Sequence, residues 1–410
     1  MKINRLLLLS FCLILCLTTA CSSVSAATVD LMDGISPQNT ESKPIDSEFI
    51  NSQTELYLNL YRDSFTASNN QNLLISPFSV SVALSMTANG AASETLKQMQ
   101  NFLGGMDLDT LNAYQNTFLK RHNNEYLKSA NSVWFKESNH LTVNKPFLQT
   151  NADTYGAGVF KSPFDNSTVN DINTWVKKNT DGQIEDLIDE IDPYTVMFLI
   201  NAVSFEAEWA EKYQNKPSNA TFHSASGKNE TAQMMISEES TYLSNDNATG
   251  FIKRYKGGKY SFAALLPNQN ISISDYIKGL DAKTLTDTLN NAKNQSVKVY
   301  MPKFSFDCDT DMTALLKAKM PLAFDEVKAD FSALGKSDRG NIYIGEVAHK
   351  TSITVDTNGT KAAAVTKVEM TDKMSIMPQK EVVLNRPFVF VIIDNATKLP
   401  IFIGNLMSVK

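Results

Sequence analysis

The most regular alternation in this chain runs through residues 359–378. Thr360, Ala362, Ala364, Thr366 and Val368 carry no charge, while Lys361, Lys367 and Glu369 fall on the other set of positions. A period of two lets one face of an extended segment lie on a core while the other meets water. The same residues, rich in Ala and Lys, are also compatible with a solvated helical turn or a plain loop after the Asn358-Gly359 punctuation. The neighbours favour the first reading: Ser352-Ile353-Thr354-Val355 alternates just before, and the strongly apolar stretches 388–394 and 399–406 follow. The segment is then a long polar connection between strands. Connections of this length with no structure of their own are usually functional or disordered.

Elsewhere the pattern switches period. Ser76-Pro77 followed by Phe78, Val80, Val82, Ala83 and Met86, closing at Asn89-Gly90, predicts a helix. Ser76 caps its first turn, Pro77 suits the first position and Gly90 supplies a left-handed stop. A second helix is predicted over 93–103, ending at Gly104, and Ile172, Trp175 and Val176 share the face of a third that stops near Asp181-Gly182. Residues 196–205 form a nearly continuous apolar run, read as a strand buried on both faces. Asn201 interrupts it and must find partners or cost a few kcal/mol. Residues 260–266, 297–306 and the C-terminal pair are predicted as further strands. Helices gather early and strands late, which predicts an α+β fold with a large antiparallel sheet.

The first residues change the picture of where the chain works. Met1-Lys2-Ile3-Asn4-Arg5, an apolar run over 6–17 and the small residues before Cys21 describe an export signal over 1–20, too short to span a bilayer. Cys21 resembles a bacterial lipoprotein processing site, with Thr18 where an aliphatic or small residue is commoner; the alternative is cleavage after Val24-Ser25-Ala26 and free secretion. Residues 21–46, rich in Ser, Thr, Asp and Pro, are predicted to be a lipidated tether, and 47–410 a single body in which no repeat or second linker is visible. Of four cysteines, Cys12, Cys16 and Cys21 belong to the signal, so Cys308 stands alone and the body holds together without a disulfide. The net charge of −6 falls to −8 without Lys2 and Arg5, which points away from nucleic acid.

No Gly-x-Ser-x-Gly elbow, His-Glu-x-x-His, phosphate-binding loop or paired zinc cysteines occurs, and His122, His140, His223 and His349 lie far apart. The reading is of a protein that is not an enzyme and needs no metal or cofactor. Instead, an ordered set of short motifs stands out: Asn72 to Ser79 around Ser76-Pro77, Asn173-x-Trp175, Thr180-x-Gly182-x-Ile184, Asn201-x3-Phe205-x3-Trp209, Pro302-Lys303-Phe304, Asp330-Phe331-Ser332, His349-Lys350, Asn385 to Phe390, and Pro400-x-Phe402-x-Gly404. With these, the chain from Phe49 onward resembles a serpin.

The resemblance implies three β-sheets, about nine helices and an exposed reactive-centre loop in the alternating stretch described first. It implies irreversible inhibition of a serine protease as a monomer, through a covalent acyl complex. The hinge is Gly359, Thr360, Ala362, Ala363 and Ala364, and its small residues favour a working inhibitor. Ser76, Ser79, Asn201 and His349 correspond to the polar cluster that controls sheet opening, and Trp209 to the point where the loop enters. Counting from the hinge places the reactive bond between Lys373 and Met374, favouring a trypsin-like target. Counting back from Pro387-Phe388 lands about three residues later; Met374-Ser375 is the nearest alternative and favours a chymotrypsin-like or elastase-like protease. Thr357 stands where the family usually has Glu, leaving Lys303 without its usual ion partner. That departure keeps open a non-inhibitory binding protein or chaperone, beside inhibition of a cysteine protease and a scaffolding or adhesive lipoprotein. The thirteen residues from Thr360 to Asp372 extend about 43 Å as a strand, against a diameter near 53 Å for a compact body of this size.

Overall fold

The computed structural model describes residues 27–122, 124–137, 140–192, 194–360 and 380–410. Its helices are α1 (Ser47–Ala67), α2 (Pro77–Ala88), α3 (Ser93–Phe102), α4 (Leu108–His122), α5 (Lys145–Thr150), α6 (Asn166–Asn179), α7 (Ile273–Gly279), α8 (Ala282–Asn290) and α9 (Thr313–Lys319). The early strands are β1 (Val29–Asp30), β2 (Leu73–Ile75), β3 (Leu127–Lys136), β4 (Thr142–Val143), β5 (Gly158–Ser162), β6 (Met197–Phe205) and β7 (Ala207–Glu208). Then come β8 (Ser218–His223), β9 (Asn229–Ser244), β10 (Ala248–Arg254), β11 (Tyr260–Pro267), β12 (Lys293–Pro302) and β13 (Phe304–Asp311). The last are β14 (Gly335–Lys336), β15 (Glu346–Val355), β16 (Gly359–Thr360), β17 (Lys380–Val383), β18 (Phe388–Asp394) and β19 (Pro400–Leu406).

Among the described residues the strands form three sheets. The first has eight strands in the order β1-β5-β3-β6-β15-β16-β7, with β13 on the far side of β15. The second has nine, in the order β17-β12-β9-β10-β11-β18-β19-β2, with β8 on β9; the third joins β14 to β4. This is the α+β architecture the sequence predicts, but the first sheet is mixed. β6 and β15 run parallel, as do β3 and β5, because strands distant in sequence meet there. One predicted strand also proves to be two. β12 ends at Pro302, which has no N–H to continue a ladder, Lys303 donates to the Gln233 carbonyl, and β13 carries the chain into the other sheet.

Helix α2 lies between the sheets, with all twelve residues buried. A helix apolar on every side is a core helix. Ser76 caps it as predicted, its Oγ accepting from the Ser79 N–H at 3.3 Å. Gly90 is not the left-handed stop: a Cβ there would lie 2.6 Å from the Leu334 Cβ, so the position is small to let residues 331–335 close in. The left-handed stops are Gly104 after α3, at φ +112°, and Asp181-Gly182 after α6. Helix α6 covers the outer face of the first sheet, where Ile172 and Val176 pack against Trp134, Ile200 and Ala348.

The predicted tether over 21–46 needs correction for its described part, residues 27–46, which is docked. Val29 and Asp30 pair antiparallel with β5, and Leu31 N donates to the Val159 carbonyl at 2.8 Å. Leu31, Met32, Ile35 and Ile45 pack against the main core. These scattered apolar residues were too few to read as an element, yet each finds a groove beside the edge of the sheet. Residues 21–26 lie outside the described residues.

Candidate functional site

The parallel pair β6 and β15 forms the middle of the first sheet, and it is only partly closed. Backbone pairing runs from Glu346 with Phe198 to Lys350 with Ala202 and then stops. At the far end Gly359 and Thr360 form β16, wedged between the two sides: Thr360 pairs antiparallel with Val355 on β15 and with Ala207 on β7. Thr360 is 1 % exposed and its Oγ1 lies 2.5 Å from the buried Tyr255 hydroxyl. Gly359 is required by proximity: a Cβ would sit 2.1 Å from the Ala207 carbonyl oxygen. The turn before it is tight, with Asp356 Oδ1 accepting from Asn358 N at 2.7 Å and Gly359 N at 3.3 Å.

Lower in the same seam a buried polar cluster bridges the two strands where Asn201 and His349 stand in register. The Ser76 N–H donates to His349 Nε2 at 3.1 Å, so Nε2 is an acceptor and the ring proton resides on Nδ1. Nδ1–H then donates to Asn201 Oδ1 at 2.6 Å. The Asn201 amide donates onward to the Ser79 carbonyl at 2.9 Å and to Asn131 Oδ1 at 2.6 Å, with Ser79 Oγ also in reach. Asn201 thus finds the partners its place in an apolar run demanded. Burial pushes the His349 imidazole down to about 4, which keeps it neutral. A side chain from each of β6 and β15 and the start of α2 therefore form one network across the seam. Removing Asn201 would orphan several buried groups at about 1–3 kcal/mol each.

Trp209 stands apart from that cluster, at the entry. Its N–H donates to the Asn358 carbonyl and its indole Nε1 to the Asp356 carbonyl, each at 2.8 Å, and its ring stacks on Tyr255 at 4.6 Å. Beneath it Lys253 is buried against the Trp209 and Tyr213 rings and pairs with Glu239 at 2.6 Å. Burial raises the Glu239 carboxyl even with the ammonium beside it. The Thr357 carbonyl accepts from Tyr213 N at 3.2 Å, and among the described residues Lys303 forms no salt bridge.

Of the residues singled out from sequence, the structure brings together Ser76, Ser79, Asn201 and His349 in the lower seam, and Gly359, Thr360 and Trp209 at its mouth. Ala362, Ala363, Ala364, Lys373, Met374, Ser375 and Cys21 lie outside the described residues. Sequence reasoning passed over Ser129, Asn131, Tyr255 and Lys253. Asn131, set among Ser129, Ala130 and Ser132, carried no signal, yet it pairs directly with Asn201. Cys308 is a free thiol. Among the described residues no group of His, Cys, Asp or Glu is disposed to hold a metal ion, and no helix is long and apolar enough to cross a membrane.

Comparison with known proteins gives a consistent result. The family model described as serpin (serine protease inhibitor) matches residues 51–409. A serpin-like protein of Thermococcus kodakarensis is 28% identical over 381 residues, covering 90% of this chain and 87% of that protein. Human neuroserpin is 28% identical over 376 residues, covering 86% and 90%. A crystal structure of the thermophilic serpin tengpin in its native state superposes with a TM-score of 0.89 at 46% identity, covering 93% of this chain and 100% of that one. The same protein in its latent state gives 0.79 at 43% identity, covering 90% and 100%.

Proposed function

The chain belongs to the serpin family of protease inhibitors, and from that premise we propose that it is an irreversible suicide-substrate inhibitor of a serine protease. The loop that follows Thr360 is the bait. The protease serine attacks the Lys373 carbonyl carbon, the Lys373–Met374 peptide bond breaks, and the new amino terminus at Met374 departs while the acyl ester remains. The severed segment then continues β16 into the seam and carries the acylated enzyme away from the entry. Lys373 before the cut selects a trypsin-like enzyme with an acidic specificity pocket.

One observation carries this reading: the first two residues of the loop already occupy the slot between β15 and β7, in antiparallel register. Because the side-chain period is two, that register sends Ala362, Ala364, Thr366 and Val368 to the same buried side as Thr360. All are small or β-branched and uncharged. On its slot-facing side β15 has no strand partner from Thr351 to Thr354 among the described residues, and the five paired residues beneath are clasped by the Asn201–His349 network. Insertion exchanges that short clasp for two full ladders, which is what a metastable starting fold requires. The body sits at a membrane surface, held by lipid on Cys21.

The test is incubation of the purified protein with trypsin-like and chymotrypsin-like proteases. A complex that survives boiling in detergent is expected with the former, together with a released C-terminal peptide whose mass begins at Met374. Clean cleavage with full protease activity would eliminate the proposal. That outcome favours a non-inhibitory binding protein, the reading that Thr357 and the unpaired Lys303 support.

A further inference from the structure

On the outer edge of the first sheet, far in sequence from the seam, a groove of about 650 Å³ opens between β1 and α6. Its floor is aromatic: Trp134, only 1 % exposed, stacks on Phe160 at 4.3 Å, and Phe160 meets Trp175 edge to face at 5.8 Å. Trp175 is half-buried, and among the described residues its indole N–H has no acceptor. Ala27, ahead of β1, is exposed at its mouth, and Lys178 from the last turn of α6 lines the rim opposite Asp30 and Asp171. An apolar body with a polar N–H at its tip is the side-chain chemistry that partitions to the bilayer interface, where lipid carbonyls accept and a lysine reaches the headgroups.

Where the chain enters decides which occupant this groove takes. Ala27 and Thr28 themselves line it. Cys21 lies six residues upstream, and six links of extended chain span at most about 20 Å. With lipid on Cys21, as proposed above, the membrane surface lies within that distance of the groove. Resting on that reading, we propose that the Trp175–Phe160–Ala27 face is a membrane-contact surface that seats the body on the bilayer by its β1–α6 edge. The near balance of Lys178 against Asp30 and Asp171 suits a zwitterionic surface.

Tryptophan emission tests this directly, because the chain has three tryptophans and Trp134 and Trp209 are each 1 % exposed. The mature chain, with Cys308→Ser to leave one thiol, is coupled through Cys21 to a maleimide-headgroup lipid in phosphatidylcholine vesicles. Replacing the lipid by its brominated form is expected to remove up to about one third of the emission, the share of one tryptophan in three. Trp175→Phe is expected to abolish that loss, and adding Ala27→Trp to that variant to restore it. Emission indifferent to bromine while the protein stays on the vesicle overturns the proposal, as does quenching that persists in Trp175→Phe. A change that grows with surface density but ignores bromine overturns it in favour of a second copy. A change produced in solution by a small apolar compound without vesicles overturns it in favour of a ligand site. Chemical coupling makes the result independent of natural acylation, which the intact mass of the protein from its own cells reports separately.

Discussion

His349 holds the seam only while its ring is neutral. Nε2 accepts from the Ser76 N–H, and a proton placed there would set donor against donor in a fully buried site. Its folded value of about 4 lies below the ordinary 6.5, so the unfolded chain takes up the proton first. The stability it contributes is therefore complete above pH 6.5 and is lost as pH falls toward 4, by about 3 kcal/mol in all. His122, also held near 4 by burial, adds a decline of the same sign. His349→Gln is expected to lower stability at pH 7 by about 1–3 kcal/mol and to flatten the loss between pH 7 and 5 by one proton's share; urea unfolding at the two pH values reads both. Thr360 makes a different demand, because it is buried against Tyr255. Thr360→Arg would place a charge in that slot, so the variant is expected to be cut as a substrate with little stable complex on a denaturing gel. Unchanged complex yield would mean that the inserting face is wrongly identified. At this scale the sequence was informative wherever burial forced an answer. Asn201 in an apolar run announced a network; Asn131, Tyr255 and Lys253 did not, since their importance comes from register and stacking that only the folded sheet supplies.

Helix α6 and the segment after it form a cover over the seam. Asn173 on α6 accepts from Leu187 N at 2.9 Å and Ile188 N at 3.1 Å, and donates to the Ile188 carbonyl at 2.9 Å. Lys350 on β15 donates to the Asp186 carbonyl. A strand entering between β6 and β15 must lift this cover, so its bonds help to set the barrier. Asn173→Ala is expected to lower the stability of the intact protein by about 2 kcal/mol and to shorten its half-life toward spontaneous loop insertion, measured as loss of inhibitory activity on storage. Elements with continuous apolar runs, α2 with its Ser76-Pro77 start signal and β6 among them, were legible in the chain. β9 was not, because only six of its sixteen residues are buried and its partners β8, β10 and β12 are fixed only by tertiary pairing. The split of β12 from β13 was missed because the apolar run passes through Pro302 without a change of pattern, while the chain changes sheets. Residues 27–46 read as a tether because docking needs only a few apolar side chains when the groove is already built.

For the whole molecule, the proposed function makes the described form the less stable of two. Below β16 the slot-facing edge of β15 is open only from Thr351 to Thr354 among the described residues and the seam must part further to admit the loop, which on that reading enters only slowly while both its ends are tied. Cutting the loop removes that tie. The nicked protein is accordingly expected to melt well above the intact one in a scanning calorimeter, and equal melting temperatures would leave the slot without a role.

The placement of β18 and β19 has a consequence for how such a molecule is born. Both are interior strands of the second sheet, flanked by β11 and β2 and buried along their whole length, yet the pair comes after both of those flanking strands in the chain. A ribosome or a secretion pore delivers them after β11 and β2, so nothing emitted earlier can complete that sheet. The nascent polypeptide is kept open by its own strand order, threadable until both strands have emerged.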